Sequence, residues 1–360
     1  MLAEAPQFDK PRRLASNVIG DLFWSPDDSR IAFVSARSDN LETVMTVASD
    51  GSCLHDWFPG ELAQTDAGKG SKAMIGWADE SSLWVMTNCG AGCRRLWQLH
   101  LEDGALREIN FFNESNRVIW GSDYIWSPDH DQVVFISGGD IQIGLTGAAG
   151  QEVKWLSGAY GGQIQTVFAD WSPDGSALLY LRQSLDEADM PSEPPELWVW
   201  DVANERGTQL LPGTIAASWS PAEDLIAFLS LGNIRYTADG KWQGTTATLE
   251  GPNLLGVGLY RRREGRVIVF APIGEIDIGC RWLGQLQQQL LRPTWSPDGE
   301  RLAYRDSAGK AWVLSATELT QYDLDTGGDP VTGIRWSPDG RVLAASTLGR
   351  LWVFAVPCSR

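Results

Sequence analysis

Histidine is nearly absent from this chain: His55, His100 and His130 are the three in 360 residues. A metal centre needs its ligands to meet within about 2 Å of one ion, and three histidines placed in unrelated parts of the repeat described below are poorly suited to that. Cysteine is scarce too: Cys53, Cys89, Cys93, Cys280 and Cys358 are too few and too scattered for a disulfide framework, and the odd count leaves at least one thiol unpaired. No apolar run approaches the roughly 18 residues of a membrane span, so the chain reads as soluble, with no membrane span. The opening MLAEAPQFDKPRRLAS lacks a charged segment followed by an apolar one, and no signal peptide is expected. The protein is extracytoplasmic if Met1 replaces a removed signal and cytoplasmic otherwise. Positive charge is in short supply: 29 Lys+Arg against 46 Asp+Glu give a net charge of −17, which repels nucleic acid and anionic lipid at long range. No G-x-S-x-G pentapeptide is present, so the nucleophile elbow of the α/β-hydrolases is missing.

What the chain has in abundance is tryptophan, 18 residues against 7 tyrosines, in an otherwise globular composition. Their placement is periodic. FWSPDDSRIAFVS begins at Phe23, IWSPDHDQVVFIS at Ile125, DWSPDGSALLYLR at Asp170, SWSPAEDLIAFLS at Ser218, TWSPDGERLAYRD at Thr294 and RWSPDGRVLAAST at Arg335, with a weaker copy, GWADESSLWVMTN, at Gly76. The anchors Trp24, Trp77, Trp126, Trp171, Trp219, Trp295 and Trp336 are 53, 49, 45, 48, 76 and 41 residues apart. The long interval suggests a degenerate eighth copy around Tyr260, which brings the mean period to about 45, near that of propeller blades.

Each copy has the same internal logic. A short extended segment ends in tryptophan, and Ser-Pro-Asp-Gly forms a type I turn. A continuous apolar run follows, as expected of a strand buried on both faces, and then a third segment that often carries tryptophan (LWVWDV, AWVLS, LWVFAV) and a more polar fourth. Four antiparallel strands repeated about eight times, with no long helix, predict an all-β single β-propeller. Its blades are expected near residues 17–60, 73–115, 123–160, 166–213, 214–251, 254–291, 292–330 and 331–356. The last blade lacks a fourth strand, and residues 8–16 can supply it, closing the ring by pairing the N- and C-terminal segments.

The repeated WSPDG followed by an apolar strand resembles the TolB-type propeller repeat, which is related to tryptophan-aspartate repeats and to the propellers of prolyl-oligopeptidase-like enzymes. The likeness spans residues 8–356. It implies a fold more strongly than a function, because the motif residues are turn and wedge residues. The α/β domain that precedes the propeller of TolB proteins has no counterpart here, and neither do the hydrolase domain of the peptidases nor the histidine cluster of the polysaccharide lyases.

Alternating strands place the first-to-second and third-to-fourth turns on one face of a propeller, and the second-to-third and blade-to-blade loops on the other. The long segments all fall on the second face, where binding usually resides. Trp57, Trp120 and Tyr160 interrupt small or polar loop sequence there. Arg37, Arg182, Arg305 and Asp306 follow second strands, and Asp123 and Arg292 precede first strands, so a mixed charged ring is expected at the channel mouth. It suits a small anionic or zwitterionic ligand, with a solvated rim as the competing reading. The acidic insertion QSLDEADMPSEPPE suits a flexible loop or a docking segment for a basic partner. Asp323, Asp325 and Asp329 are loosely spaced like calcium ligands, without the bidentate glutamate of a calcium loop. Cys89-Gly-Ala-Gly-Cys93 permits a disulfide as well as two free thiols. Arg261, Arg262, Arg263 and Arg266 form a basic cluster on the short-turn face of the expected sixth blade, and the WSPD aspartates are turn residues.

These features point to a non-enzymatic binding scaffold, a monomer, that recognises a protein or small-molecule ligand with no cofactor and no nucleic acid. The alternative is a lyase or hydrolase acting on a glycan or peptide-like substrate through the carboxylates and arginines of the channel mouth.

Overall fold

The computed structural model describes residues 11–356 apart from 38–40, 59–70, 91–92, 113–117, 120, 138–141, 148–153, 156–163, 223, 250, 278–291 and 319. Among the described residues there is no helix, and seven four-stranded antiparallel sheets hold all but two short strand pairs. The first sheet shows the plan. Val18–Trp24 lies innermost, followed outward by Arg30–Ala36, Glu42–Ala48 and His55–Asp56. The sequence dictates this order: the SPDD turn closes the first hairpin, the apolar run RIAFVSA fills the second strand, and its residues 31–35 are all buried because blades pack against both faces. Innermost strands of neighbouring blades touch around the ring, and the first also touches the last, so the sheets form a closed β-propeller.

Each SPD turn is held by its own side chains. Ser172 accepts a hydrogen bond from the backbone N–H of Ala177 and donates to Asp174 at 2.7 Å, while the N–H of Gly175 closes the turn on the Ser172 carbonyl at 2.9 Å. Gly175, Gly299 and Gly340 occupy the left-handed position that this turn requires, at φ near 70°, and Asp28 and His130 adopt it in the blades that lack glycine.

The anchor tryptophans do more than fill space. Trp77 donates its indole N–H to the carbonyl of Phe23, Trp171 to Ile125, Trp295 to Ser218, Trp336 to Thr294 and Trp24 to Arg335. In every case the acceptor immediately precedes the anchor of the neighbouring blade. The motif tryptophan thus buries its rings between blades and spends its one polar atom on a bond across the same seam. Around these bonds lie clusters of buried aliphatics: between the fourth and fifth blades, Leu179, Leu181 and Leu197 meet Ala217, Trp219 and Phe228. Burying each such leucine or phenylalanine stabilises the fold by about 1.5–3 kcal/mol.

The relay corrects the expected blade count. Trp295 reaches Ser218 directly, leaving no room for a blade between them, so there are seven sheets and not eight. The segment around Tyr260 belongs to the fifth blade, whose strands are Thr214–Trp219, Leu225–Leu231, Pro252–Arg261 and Arg266–Asp277. Tyr260 lies in its third strand opposite Ile226, packed toward the fourth blade. The extra length of the 76-residue interval comes from a hairpin, Ile234–Tyr236 with Trp242–Thr245, inserted between the second and third strands. Asp239-Gly240 is the tip of that hairpin, and Gly240 accepts a backbone bond from Val267 at 2.8 Å, laying the tip on the outermost strand. The basic cluster Arg261–Arg266 accordingly sits on the fifth blade.

The seventh blade consists of Val331–Trp336, Val342–Thr347 and Arg350–Ala355 with Arg12–Ser16 as its outer strand. Arg12 pairs with Val353 and Ser16 with Arg350.

Candidate functional site

The innermost strands wall an axial cavity of about 590 Å³ to which all seven blades contribute, among them Phe23, Met74, Tyr124, Phe168, Ala216 and Arg335, with Arg292 completing the circle from the sixth. Asp21, Phe23, Met74, Ile125, Phe168, Ala216, Arg292 and Arg335 reach it from positions one or three before an anchor tryptophan, by the two-residue period of a strand. The residue immediately before the anchor is Phe23, Gly76 or Ile125 in the first three blades and Asp170, Ser218, Thr294 or Arg335 in the other four. Among the described residues the cavity lining is mostly apolar, with Asp21 of the first blade, His130 of the third, Arg292 of the sixth and Arg335 of the seventh as its charged or polar side chains. Bulges at Ile19/Leu22, Met74/Gly76, Ser122/Ile125, Phe168/Asp170, Thr214/Ala216 and Val331/Gly333 re-aim these strands as they approach the axis.

Two ion pairs stand at the cavity. Arg335 pairs with Asp21 across the seam between the last and first blades, and its guanidinium lies 5.6 Å from the centre of the Phe23 ring. Arg292 pairs with Asp170 at 3.5 Å and donates to the carbonyl of Ala169. Asp170 is anchored further by the backbone N–H groups of Trp171 at 3.0 Å and Trp219 at 2.9 Å. The cavity extends between the second and third blades to Trp84 and Trp126, whose rings stack at 4.6 Å and 7°. Neither indole N–H of this pair has a partner, so the tryptophan relay is interrupted here.

The residues expected at the channel mouth are not brought together. Among the described side chains, Arg292 alone of them lines the cavity. Arg37 bonds Asp56 at 3.2 Å and the carbonyl of Phe58 at 3.0 Å, which fastens the start of the loop leaving the first blade. Arg182 lies over Trp198 at 4.5 Å. Arg305 donates to the carbonyl of Val331 at 2.8 Å, and burial pulls its pKa down. Asp306 accepts from Trp312 at 2.8 Å and from the backbone N–H groups of Ala308 and Lys310. Trp57 is a packed anchor, donating to Thr46 at 2.9 Å with His55 at 4.3 Å from its ring. Trp120 and Tyr160 lie outside the described residues, as do the side chains of Asp123, Cys89 and Cys93.

The remaining motifs divide in the same way. Asp323 faces Lys310 at 2.6 Å, Asp329 faces Arg350 at 2.6 Å, and Asp325 accepts from the N–H of Gly327 in its own turn. Among the described residues no three His, Cys, Asp or Glu side chains converge as metal ligands. The three histidines stand apart: His130 by the Ala78 carbonyl, His100 by Ser82, His55 by Trp57. The acidic insertion continues its hairpin as an ordered turn, in which Asp186 accepts from the N–H groups of Ala188 and Met190. In the basic cluster, Arg262 covers Trp219 at 5.5 Å, Arg263 pairs with Asp224, and Glu264 pairs with both Arg261 and Arg266.

Among the described residues of the long-loop face the most exposed large apolar side chain is Leu348, 75 % exposed in the turn between Val342–Thr347 and Arg350–Ala355. Ile19 is exposed beside it, because Gly349 donates to the carbonyl of Val18.

No family model matches this chain, and no curated protein does. Solved structures match in quantity, 1373 chains, which marks the architecture as widely shared and therefore silent about any one activity. Among them is a chain in the crystal structure of the mitotic checkpoint complex, 15% identical with a TM-score of 0.57 over 98% of this chain and 92% of that one. At that identity the likeness concerns the fold alone, a β-propeller. Among the described residues no helix is long and apolar enough to cross a membrane.

Proposed function

We propose that this protein is a non-enzymatic binding scaffold, one propeller domain of the TolB-like, WSPDG-repeat type, that engages a protein or small ligand through its long-loop face and channel mouth. The observation that carries this reading is the axial cavity: about 590 Å³, walled by every blade, with a mostly apolar lining that includes Asp21, His130, Arg292 and Arg335. Pockets of that size and mixed lining are what binding sites use. On the long-loop face, the exposed Leu348 and Ile19 offer an apolar contact of the kind protein partners cover. The groups that a lyase or hydrolase would draw on speak for binding too. Arg182, Arg305 and Asp306 are each committed to a structural partner and are not poised around a common point.

The test is affinity capture from the native extract with the intact protein and with Leu348→Glu. A stoichiometric partner retained by the first and lost by the second is the expected result. Equal retention by both removes the interaction from the long-loop face.

A further inference from the structure

The axial cavity is amphipathic around its circumference. The first three blades give it Phe23, Met74, Met86, Tyr124, Ile125 and Trp126. Phe168 and Ala216 carry the apolar lining on to the fourth and fifth blades, and the cations Arg292 and Arg335 each already face a carboxylate, Asp170 and Asp21. The charges of these two pairs cancel. A ligand with net charge would leave an unmatched charge in a space partly withdrawn from water, which is costly. A ligand carrying both signs avoids this, because its carboxylate can take a guanidinium and its ammonium an aspartate with the sum unchanged.

The two pairs differ in how freely they can exchange. Both oxygens of Asp170 hold backbone N–H groups, of Trp171 and Trp219, so that pair belongs to the frame. Asp21 holds one backbone N–H, that of Leu22 at 2.9 Å, on Oδ1, and its Oδ2 faces Arg335. Arg335 offers five N–H donors in a planar fork and uses one on the carbonyl of Ile334 at 3.3 Å and another on Asp21. Its spare donors match a carboxylate in bidentate geometry. The apolar wall begins next to it, since the same guanidinium overlies Phe23.

Resting on the binding reading above, we infer that the axial cavity takes a small zwitterion with an apolar or aromatic side chain, of the chemistry of an α-amino acid or short peptide. Its carboxylate sits on Arg335, its ammonium on Asp21 and its side chain against the Phe23–Tyr124–Trp126 wall.

Titration calorimetry on the intact protein tests this with L-phenylalanine and the dipeptide Phe-Leu, beside N-acetyl-L-phenylalanine and L-phenylalaninamide, which each lack one charge. Saturable binding of at least one zwitterion is expected, weakened about tenfold or more when either charge is removed. Asp21→Asn and Arg335→Gln should each weaken the zwitterion by a similar factor. If either variant fails to fold, the blocked ligands on the unaltered protein decide. The relative affinity of the amino acid and the dipeptide tells which source the site prefers. No saturable heat from either zwitterion up to about 10 mM, or a blocked form that binds as well as its parent, overturns the inference. Partner capture that is sensitive to Leu348→Glu would leave the scaffold reading standing even then.

Discussion

Gly333 shows how little slack exists where the ring closes. A Cβ at this position would lie 2.6 Å from Ser346 Oγ, 2.8 Å from Asp21 Oδ1 and 3.1 Å from Asp21 Cα. The last of these is backbone, so the neighbour cannot swing away. Gly333→Ala should cost about 1–3 kcal/mol, read as a lower melting temperature, and should disturb the Asp21–Arg335 pair. Unchanged melting would mean that the inner strands can part without penalty. The same scale shows what the sequence offers and withholds. The residue before each anchor tryptophan reads Phe, Gly, Ile, Asp, Ser, Thr, Arg, and this order already contains Phe23, Ile125 and Arg335 of the cavity lining. It passes unnoticed because the motif draws attention to the tryptophan and the turn. Asp306 and Arg305 mislead for the opposite reason. Their positions after a second strand are legible, but their partners Trp312 and Val331 are set by the local turn and by the neighbouring blade.

Among the elements, the strands follow the sequence closely and the insertions do not. The WSPD turn, the apolar second strand and the tryptophan-bearing third strand are specified by local chemistry, and they recur in Arg301–Arg305 with Ala311–Ser315 as in Glu196–Asp201. The Tyr260 segment defeats the same logic. A hairpin of apolar strands joined by a polar turn looks alike whether it opens a blade or finishes one, and only the long-range pairing of Leu225–Leu231 with Pro252–Arg261 separates the two. The closing strand is the element on which the ring depends. Arg12–Ser16 pairs along Arg350–Ala355, Ala15 is buried in the seam cluster, and Arg12 clasps the carbonyls of Ser49 and Asp50 in the first blade. Deleting residues 1–16 exposes that edge and should lower the melting temperature by on the order of 10 °C. An unaltered melting curve would show that the ring closes without it.

For the whole molecule, the repeated turns make acid stability a collective property. Asp27, Asp129 and Asp174 are each held below the usual carboxylate range, first by the hydroxyl of the serine two residues earlier and then by backbone N–H groups of the turn; Asp174 falls to about 2. A carboxylate whose pKa is lowered by folding stabilises the folded state above its ordinary value of 3.8 and loses that contribution as pH falls toward its folded value. Asp28, raised by burial, acts in the opposite sense. The melting temperature should therefore fall steadily between about pH 4 and pH 2, and Asp174→Asn should flatten part of that slope. A profile that stays level across this range would show that the turns hold together without their charges.

The strand order of the seventh blade also fixes how the molecule can be held. Arg350–Ala355 runs away from the long-loop face, and Arg12–Ser16, antiparallel to it, runs back toward that face. Both ends of the described chain therefore emerge side by side at the short-turn face. Anything tethered through either end, whether a neighbouring module, a membrane anchor or a sensor chip, would carry the ring like a dish on a stem, with the long-loop face and Leu348 turned outward. Orientation toward a partner would then need no hinge.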